Sequence, residues 1–319
     1  MKKPAAILDF TSLYPDDLDQ GSLKAIFEPL HIYPNTSPDQ VLQRLRNVEV
    51  VITTKVELNA EILAESPQLR LILVAATGVN NIDLDAARQR GIAVYNCQGY
   101  GTAAVAQHTM ALLLALATHL TDYWDAVRAG RWQQSKNFGL LEFPIIELAG
   151  KTLGILGHGE LGSAVARLAQ AFGLKVLLGQ LPGRPARTDR LPLEQLLPQV
   201  DALSLHCPLT DQTRGLIGAP QLAAMKPGAL VVNTARGALV DEQALADALR
   251  SGHLGGAASD VLSVEPPSDS NPLLAKDLPN LILTPHSAWG SREARQRIFQ
   301  QLIENAANFY AGKNERRLC

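Results

Sequence analysis

Short apolar runs alternate with stretches of helical periodicity along most of the chain. Between residues 1 and 100, the runs at 6–9, 48–53, 69–75 and 92–95 read as strands. The patterns at 23–28, 58–65 and 83–90 read as helices. This alternation predicts a parallel sheet covered on both faces, a small α/β domain in its own right. The stretch 101–120 is apolar on every side, which predicts a buried helix. The stretch 123–143 breaks the pattern with Trp124, Arg128, Arg131, Trp132 and Lys136. It reads as an irregular connector whose aromatic residues point to a subunit contact. From Lys151 to His286 the alternation resumes, with strands at 152–156, 175–178, 202–205, 230–233, 257–261 and 281–284. Helices are expected at 161–172, 193–197 and 242–251, giving a second, larger doubly wound domain. A last amphipathic helix over 292–310 follows a sheet already complete and is expected to return to the first domain.

The second domain is organised around the stretch from Thr152 to Ser163. An apolar run there meets Gly157, Gly159 and Gly162, and a helical pattern follows. Strand, glycine turn, helix and strand make the first half of a dinucleotide-binding unit. Gly157 permits the tight turn, Gly159 lets backbone approach a pyrophosphate, and Gly162 lets the helix pack on the strand. The helix start supplies free N–H groups and a partial positive charge.

Composition narrows the setting. At 319 residues two domains are the natural division. A hydrophobic share of 46% with 19% charged residues fits a globular chain, and a net charge of −2 points to neither nucleic acid nor an anionic membrane. Cys97, Cys207 and Cys319 are odd in number and lack metal-ligand spacing, which argues for a reducing, cytoplasmic setting with no disulfide framework and no metal.

Candidate chemistry lies where later strands end, since ligands in open α/β sheets lie outside the carboxyl ends of the strands. A hydrophobic run ends in Thr234, Ala235 and Arg236, and arginine is shaped to hold a carboxylate through two parallel hydrogen bonds. Another carries Asp260, with Glu265 in the turn before two prolines. A third ends in His286, a group able to give and take a proton at oxygen near neutral pH. Together they supply a carboxylate binder, an acid–base group, and a glutamate that fixes the imidazole and favours its protonated form. Beside a nicotinamide, that set is equipped to move hydride to a 2-keto acid.

These motifs, in this order, resemble the D-isomer-specific 2-hydroxyacid dehydrogenase family, and the resemblance covers most of the chain from about Val50. Within it, the stretch 100–109 and Trp289 are most similar to glycerate dehydrogenases, also called hydroxypyruvate reductases. The resemblance implies two doubly wound parallel-sheet α/β domains. One is a flavodoxin-like substrate domain, 1–98 with 288–319, and the other a Rossmann cofactor domain, 99–287. It implies that Arg236 binds the substrate carboxylate and carbonyl, that His286 is the general acid in reduction, and that Glu265 is its partner. Ala76, Thr77, Gly78 and Val79 match the loop whose backbone N–H groups meet the carboxylate, with Lys55 and Trp289 shaping the pocket. Glu160 and Leu161 match positions near the pyrophosphate, and Cys207 and Pro208 line the adenosine pocket. Thr234 and Ala235 join the cofactor-binding set, and Asp260 lies on the nicotinamide side. A homodimer is expected. Other members with the same machinery, of phosphoglycerate or D-lactate type, and a nucleotide-sensing scaffold of the same fold are the alternatives.

One departure bears on the cofactor. NAD-binding members usually carry an aspartate after the second strand of this domain, whereas here the strand runs into Gln180, followed by Arg184, Arg187 and Arg190. A carboxylate would repel the 2′-phosphate of NADP, a neutral glutamine would not, and arginines can pair with it. NADP is therefore favoured over NAD, with a solvated arginine loop as the alternative.

Overall fold

The computed structural model describes residues 3–319, which divide into two compact units, 3–101 with 290–319 and 102–289. In chain order the first unit begins with β1 (Ala5–Ile7), α1 (Gly21–Ala25), β2 (Leu30–Ile32), α2 (Val41–Leu45) and β3 (Val50–Thr53). It continues with α3 (Ala60–Ala64), β4 (Leu71–Val74), α4 (Leu84–Gln89) and β5 (Ala93–Asn96). All pairings are parallel, in the order β2-β1-β3-β4-β5. Side chains alternate across a strand, so Ala6, Val51, Ile72, Val74 and Val94 share one face with Val41 and Leu45 of α2 and Leu63 of α3.

The second unit holds α5 (Thr102–Thr118), α6 (Leu120–Arg128), β6 (Thr152–Leu156), α7 (Glu160–Ala171), β7 (Lys175–Gly179), α8 (Leu193–Leu196) and β8 (Ala202–Leu205). It ends with α9 (Ala219–Ala224), β9 (Ala229–Asn233), α10 (Glu242–Arg250), β10 (Leu254–Ser259) and β11 (Leu281–Leu283). Its sheet is parallel too, ordered β11-β10-β9-β8-β6-β7, with one further bridge from Gly179 to Leu191 at the β7 edge. The alternation separates two cores. Leu153, Ile155, Leu230 and Val232 face α5 and α7. Leu156, Leu203, Leu205 and Val231 face the side covered by α8, α9 and α10. The fold is thus two doubly wound parallel sheets, as expected.

The last helix, α11 (Arg292–Tyr310), belongs to the first unit. Its Phe299 is 1% exposed and stacks on Phe10 at 6.0 Å, a burial that contributes about 1.5–3 kcal/mol. Arg295 ties the helix to the 13–17 turn through Asp17 (2.7 and 2.9 Å) and the Tyr14 carbonyl.

Five elements differ from the sequence reading. The apolar helix stops at Thr118, because His119 takes a left-handed conformation (φ 49°). The first part of the supposed connector is α6, and only the chain beyond it is irregular. That stretch is tethered, since Tyr123 donates its hydroxyl to the Phe143 carbonyl (2.6 Å) and the Ile146 N–H donates to Ala117 (2.7 Å). β2 and the short helices α2 and α9 carry too few residues to show a period of their own.

Candidate active site

The glycine turn sits where the chain changes direction across the sheet. β6 lies between β7 and β8, and in such sheets the crevice at this switch point receives ligands. Gly157 has φ +98°, and a Cβ there would lie 2.5 Å from the backbone nitrogen of Cys207. A Cβ on Gly162 would lie 2.1 Å from the Gly157 carbonyl oxygen. Both positions therefore exclude side chains by backbone contact, while Gly159 has open space around it. Glu160 opens α7, with Leu161 next, and Glu160 accepts the Thr102 hydroxyl at 2.6 Å. α7 spans 160–171, long enough for a substantial helix dipole.

Beyond β7, Gln180 does something the sequence did not suggest. Its amide Nε2 donates to the carbonyls of Leu181, Arg184 and Pro185 (3.1, 3.0 and 3.2 Å), so the side chain folds the following loop onto itself. Its Oε1 is buried without a hydrogen-bond partner, as is Nδ1 of His206 at the end of β8. Arg187 is engaged by Asp189 (2.9 and 3.3 Å). Arg184 is exposed and lines an open pocket of about 160 Å³ together with Leu181, Pro208, Thr210 and Gln212. Cys207, just before Pro208, is buried, and burial pushes its thiol up to about 11.

The strand ends carry the remaining groups. Asn233 shapes the turn after β9: its Oδ1 accepts from the Ala235 N–H (3.0 Å) and its Nδ2 donates to the Arg236 carbonyl (2.9 Å). Thr234 is buried against Thr109 of α5, hydroxyl to hydroxyl at 2.9 Å. Arg236 is half-buried, and its guanidinium donates back to the Ala235 carbonyl (2.7 Å). Gly237 presses on the next turn, for a Cβ there would lie 1.9 Å from the Leu262 carbonyl carbon. That second turn carries Glu265, whose Oε1 accepts from the Leu262 N–H (2.9 Å).

The third turn carries His286. Its Nδ1 lies 2.6 Å from Oε2 of Glu265. A carboxylate accepts only, so Nδ1 carries the hydrogen and Nε2 is left to exchange a proton. The backbone here is left-handed (φ 52°), which costs about 1–2 kcal/mol in a non-glycine residue. Several bonds hold it. The His286 N–H donates to the Asp260 carbonyl (2.8 Å), and the Trp289 indole donates to the His286 carbonyl (2.9 Å). The Asp260 carboxylate accepts from the N–H groups of Ser287 and Ala288 (2.9 and 3.0 Å).

The second unit therefore brings Glu265, His286, Asp260 and Trp289 into one hydrogen-bonded group, while Arg236 occupies the neighbouring strand end. The matched loop of the first unit is ordered separately. The Thr77 hydroxyl donates to the Cys97 carbonyl (2.9 Å) and the Ala76 carbonyl accepts from the Cys97 N–H (3.1 Å). Gly78 and Val79 are partly exposed. Lys55 is exposed, and its backbone N–H is fixed by the buried carboxylate of Asp9 (2.7 Å).

A model of the D-isomer-specific 2-hydroxyacid dehydrogenase NAD-binding domain matches residues 110–288. A glycerate dehydrogenase of Methylorubrum extorquens is 43% identical over 303 residues, 93% of this chain and 96% of the relative. The chain belongs to the D-isomer-specific 2-hydroxyacid dehydrogenase family. Among solved members of this dehydrogenase fold, the Aquifex aeolicus D-lactate dehydrogenase in complex with NAD and lactic acid superposes with a TM-score of 0.82. It is 30% identical and covers 98% of this chain and 97% of its own. An acyclic imino acid reductase, Bsp5, in complex with NADPH and D-Arg superposes with a TM-score of 0.86 at 28% identity, covering 99% and 100%.

The residues of this dehydrogenase fit a dinucleotide. The glycine turn is a cradle that a Cβ would fill, and two buried polar atoms, Gln180 Oε1 and His206 Nδ1, lack protein partners beside it. Sequence reading missed Asn233, Glu242, His108 and Thr109. Glu242, His108 and Thr109 act through tertiary hydrogen bonds that no local pattern announces, whereas Asn233, two residues before Ala235, makes a recognisable side-chain-to-backbone turn.

Proposed function

We propose that this dehydrogenase reduces a small 2-keto acid, of the hydroxypyruvate or glyoxylate type, to the D-2-hydroxy acid, and runs the reverse reaction. The observation that carries this reading is the 2.6 Å pair of His286 Nδ1 and Glu265. It presents a single exchangeable imidazole nitrogen at a strand end. When bound, the nicotinamide supplies or accepts the hydride. Arg236 holds the substrate carboxylate and polarises the carbonyl, contributing charge stabilisation where charge develops. The backbone N–H groups of Ala76, Thr77, Gly78 and Val79, with Lys55 and Trp289, are the further groups assigned to substrate binding. His286 delivers its Nε2 proton to the oxygen as the carbonyl becomes an alcohol, and Glu265 stabilises the imidazolium before that transfer. In the reverse direction the neutral imidazole takes the proton back.

The dinucleotide is held by Gly157, Gly159, Glu160, Leu161 and Gly162 at the pyrophosphate, and by Cys207, Pro208, Thr234 and Ala235 along its length, with Asp260 behind the turn on the nicotinamide side. NADPH is accepted. Gln180 is neutral, Arg184 stands exposed at the pocket rim where it can meet a 2′-phosphate, and Asp189 has engaged Arg187. The exposed Trp132, Phe138 and Leu141 (51, 101 and 85% exposed) support a homodimer contact beyond α6. The three unpaired cysteines suit a cytoplasmic enzyme.

The test is a kinetic panel of 2-keto acids with NADH and NADPH, followed by loss of nicotinamide absorbance. Turnover of hydroxypyruvate or glyoxylate is expected. Tight dinucleotide binding with no turnover across the panel would favour a nucleotide-sensing scaffold. Preference for NADH by more than tenfold, ~1.4 kcal/mol, would overturn the assignment of Gln180 and Arg184.

A further inference from the structure

The Asp260 carboxylate is 1% exposed, and α5 reaches it from the side. Nε2 of His108 lies 3.0 Å from the Thr284 hydroxyl and 3.6 Å from Asp260 Oδ1. Thr284 in turn lies 2.5 Å from the same Oδ1. Hydrogen counting fixes the direction of this chain. Asp260 accepts from two backbone N–H groups as a carboxylate, so the one hydroxyl hydrogen of Thr284 goes to it. Thr284 can then only accept from His108, and the imidazole hydrogen must sit on Nε2. The polarity runs from His108 Nε2–H to Thr284 Oγ1–H to Asp260 Oδ1, and from the carboxylate to the N–H groups of Ser287 and Ala288. His286 immediately precedes those two residues and is left-handed.

Burying a carboxylate is costly unless it is fully hydrogen-bonded. Among the described residues His108 is also the only ion-pair partner within 4.0 Å of Asp260. Its neighbour Thr109 meanwhile grips Thr234 at the end of β9. Two consecutive residues of α5 thus hold two strand ends of the site.

We propose that His108 is a positioning residue for the proton-transfer turn. Through Thr284 it orients the Asp260 carboxylate, and that carboxylate sets the backbone at residues 286–288 so that the His286 ring meets Glu265 and the substrate oxygen together. His108 does not touch the reacting atoms. The inference rests on the reading of His286 as the proton-transfer group. What the position needs is a hydrogen-bond donor at the place of Nε2. An amide can supply one and a hydrocarbon cannot.

The experiment compares His108→Leu, His108→Gln, Thr284→Val and the His108→Leu/Thr284→Val double variant, with His286→Asn as control. Turnover, dinucleotide affinity by fluorescence, and hydrogen exchange at the Ser287 and Ala288 amides are measured on each. His108→Leu is expected to lower kcat about tenfold, with dinucleotide affinity within about twofold, and to speed exchange at both amides. His108→Gln should recover most of kcat and of the protection. Thr284→Val should match His108→Leu, and the double variant should lose no more than either alone, the non-additivity expected of one linked chain. Equal kcat and exchange for the Leu and Gln variants, or additive losses in the double variant, would overturn the proposal. Should His108→Leu fail to fold, the comparison of His108→Gln with Thr284→Val decides: the first near wild type and the second impaired supports the chain, while equal behaviour overturns it. Near-normal turnover in His286→Asn would instead remove the acid–base reading, an outcome the exchange data keep separate.

Discussion

Glu242 takes both polar groups of Ser263, the backbone N–H on one carboxylate oxygen and the hydroxyl on the other, each at 2.7 Å. The second oxygen also accepts from Asn271 (2.9 Å). The turn pinned in this way is the one that presents Glu265, two residues further on. Glu242→Gln keeps one acceptor and loses the other. It is expected to lower kcat several-fold and to destabilise the protein by about 1–3 kcal/mol, read from steady-state kinetics and urea unfolding. Unchanged kcat would show that the turn holds without it.

His286→Asn removes the proton-transfer group at little backbone cost, because asparagine tolerates the left-handed region that φ 52° demands. Turnover is expected to fall by about 10²–10⁴-fold, with dinucleotide affinity retained. Near-normal turnover is the result that dismisses the assignment.

Gly162→Ala places a methyl group 2.1 Å from the Gly157 carbonyl oxygen, so the turn and α7 must move apart. A stability loss of about 1–3 kcal/mol is expected, as for other overpacked sites. Dinucleotide affinity should weaken at least tenfold by fluorescence titration. Gly159→Ala, with open space around its Cβ, is expected to cost far less stability.

Arg184→Ala should weaken NADPH binding by about 10–100-fold, the worth of a charge-assisted pair of about 1.5–3 kcal/mol. NADH binding should stay within about threefold. Arg187→Ala should change neither, because Asp189 already occupies that guanidinium. Calorimetric titration with both dinucleotides distinguishes these outcomes.

Burial pushes the His206 imidazole down to about 4 from an ordinary 6.5. His206 keeps some surface exposed, but its Nδ1 is sealed from solvent without a partner, which accounts for the direction. The unfolded chain binds the proton first, so between about pH 6.5 and 4 this group makes stability rise with pH, by at most ~1.4 kcal/mol per pH unit. Acidification through that window should destabilise the fold, and His206→Gln should flatten the slope of Tm against pH. An identical slope in the variant would remove His206 as the cause.

The strand–turn–helix at 152–171 is legible from sequence because everything that makes it is local: an apolar run, glycines at backbone contacts, a helical period. α11 is read to the residue for the same reason, since Ser291 caps it with a hydrogen bond to the Ala294 N–H. β2 is not, because exposed His31 between half-buried Leu30 and Ile32 makes a strand of three residues, too short for its alternation to stand out. α6 is hidden by the break at His119, which the apolar composition of the preceding helix masks. At the site, Arg236, Glu265 and His286 stand out as polar residues closing apolar runs. Glu242, Thr284 and His108, which orient these turns, are ordinary polar residues whose partners lie in other elements, while Asn233 acts within its own turn. Gln180 shows the limit most plainly. Its type says that it lacks a charge, and only the fold shows its amide holding its own loop.

The split composition of the first unit sets an order of events during synthesis. Residues 102–289 form one uninterrupted segment, so the second unit can close as soon as it has emerged. The first unit cannot, although most of it is made earlier. Its Asp17, Phe10 and Tyr95 wait for Arg295, Phe299 and the Lys313 carbonyl, near the end of the chain. The unit translated first is therefore the one completed last. Until then it exposes the apolar faces of β4 and β5 that α11 will cover.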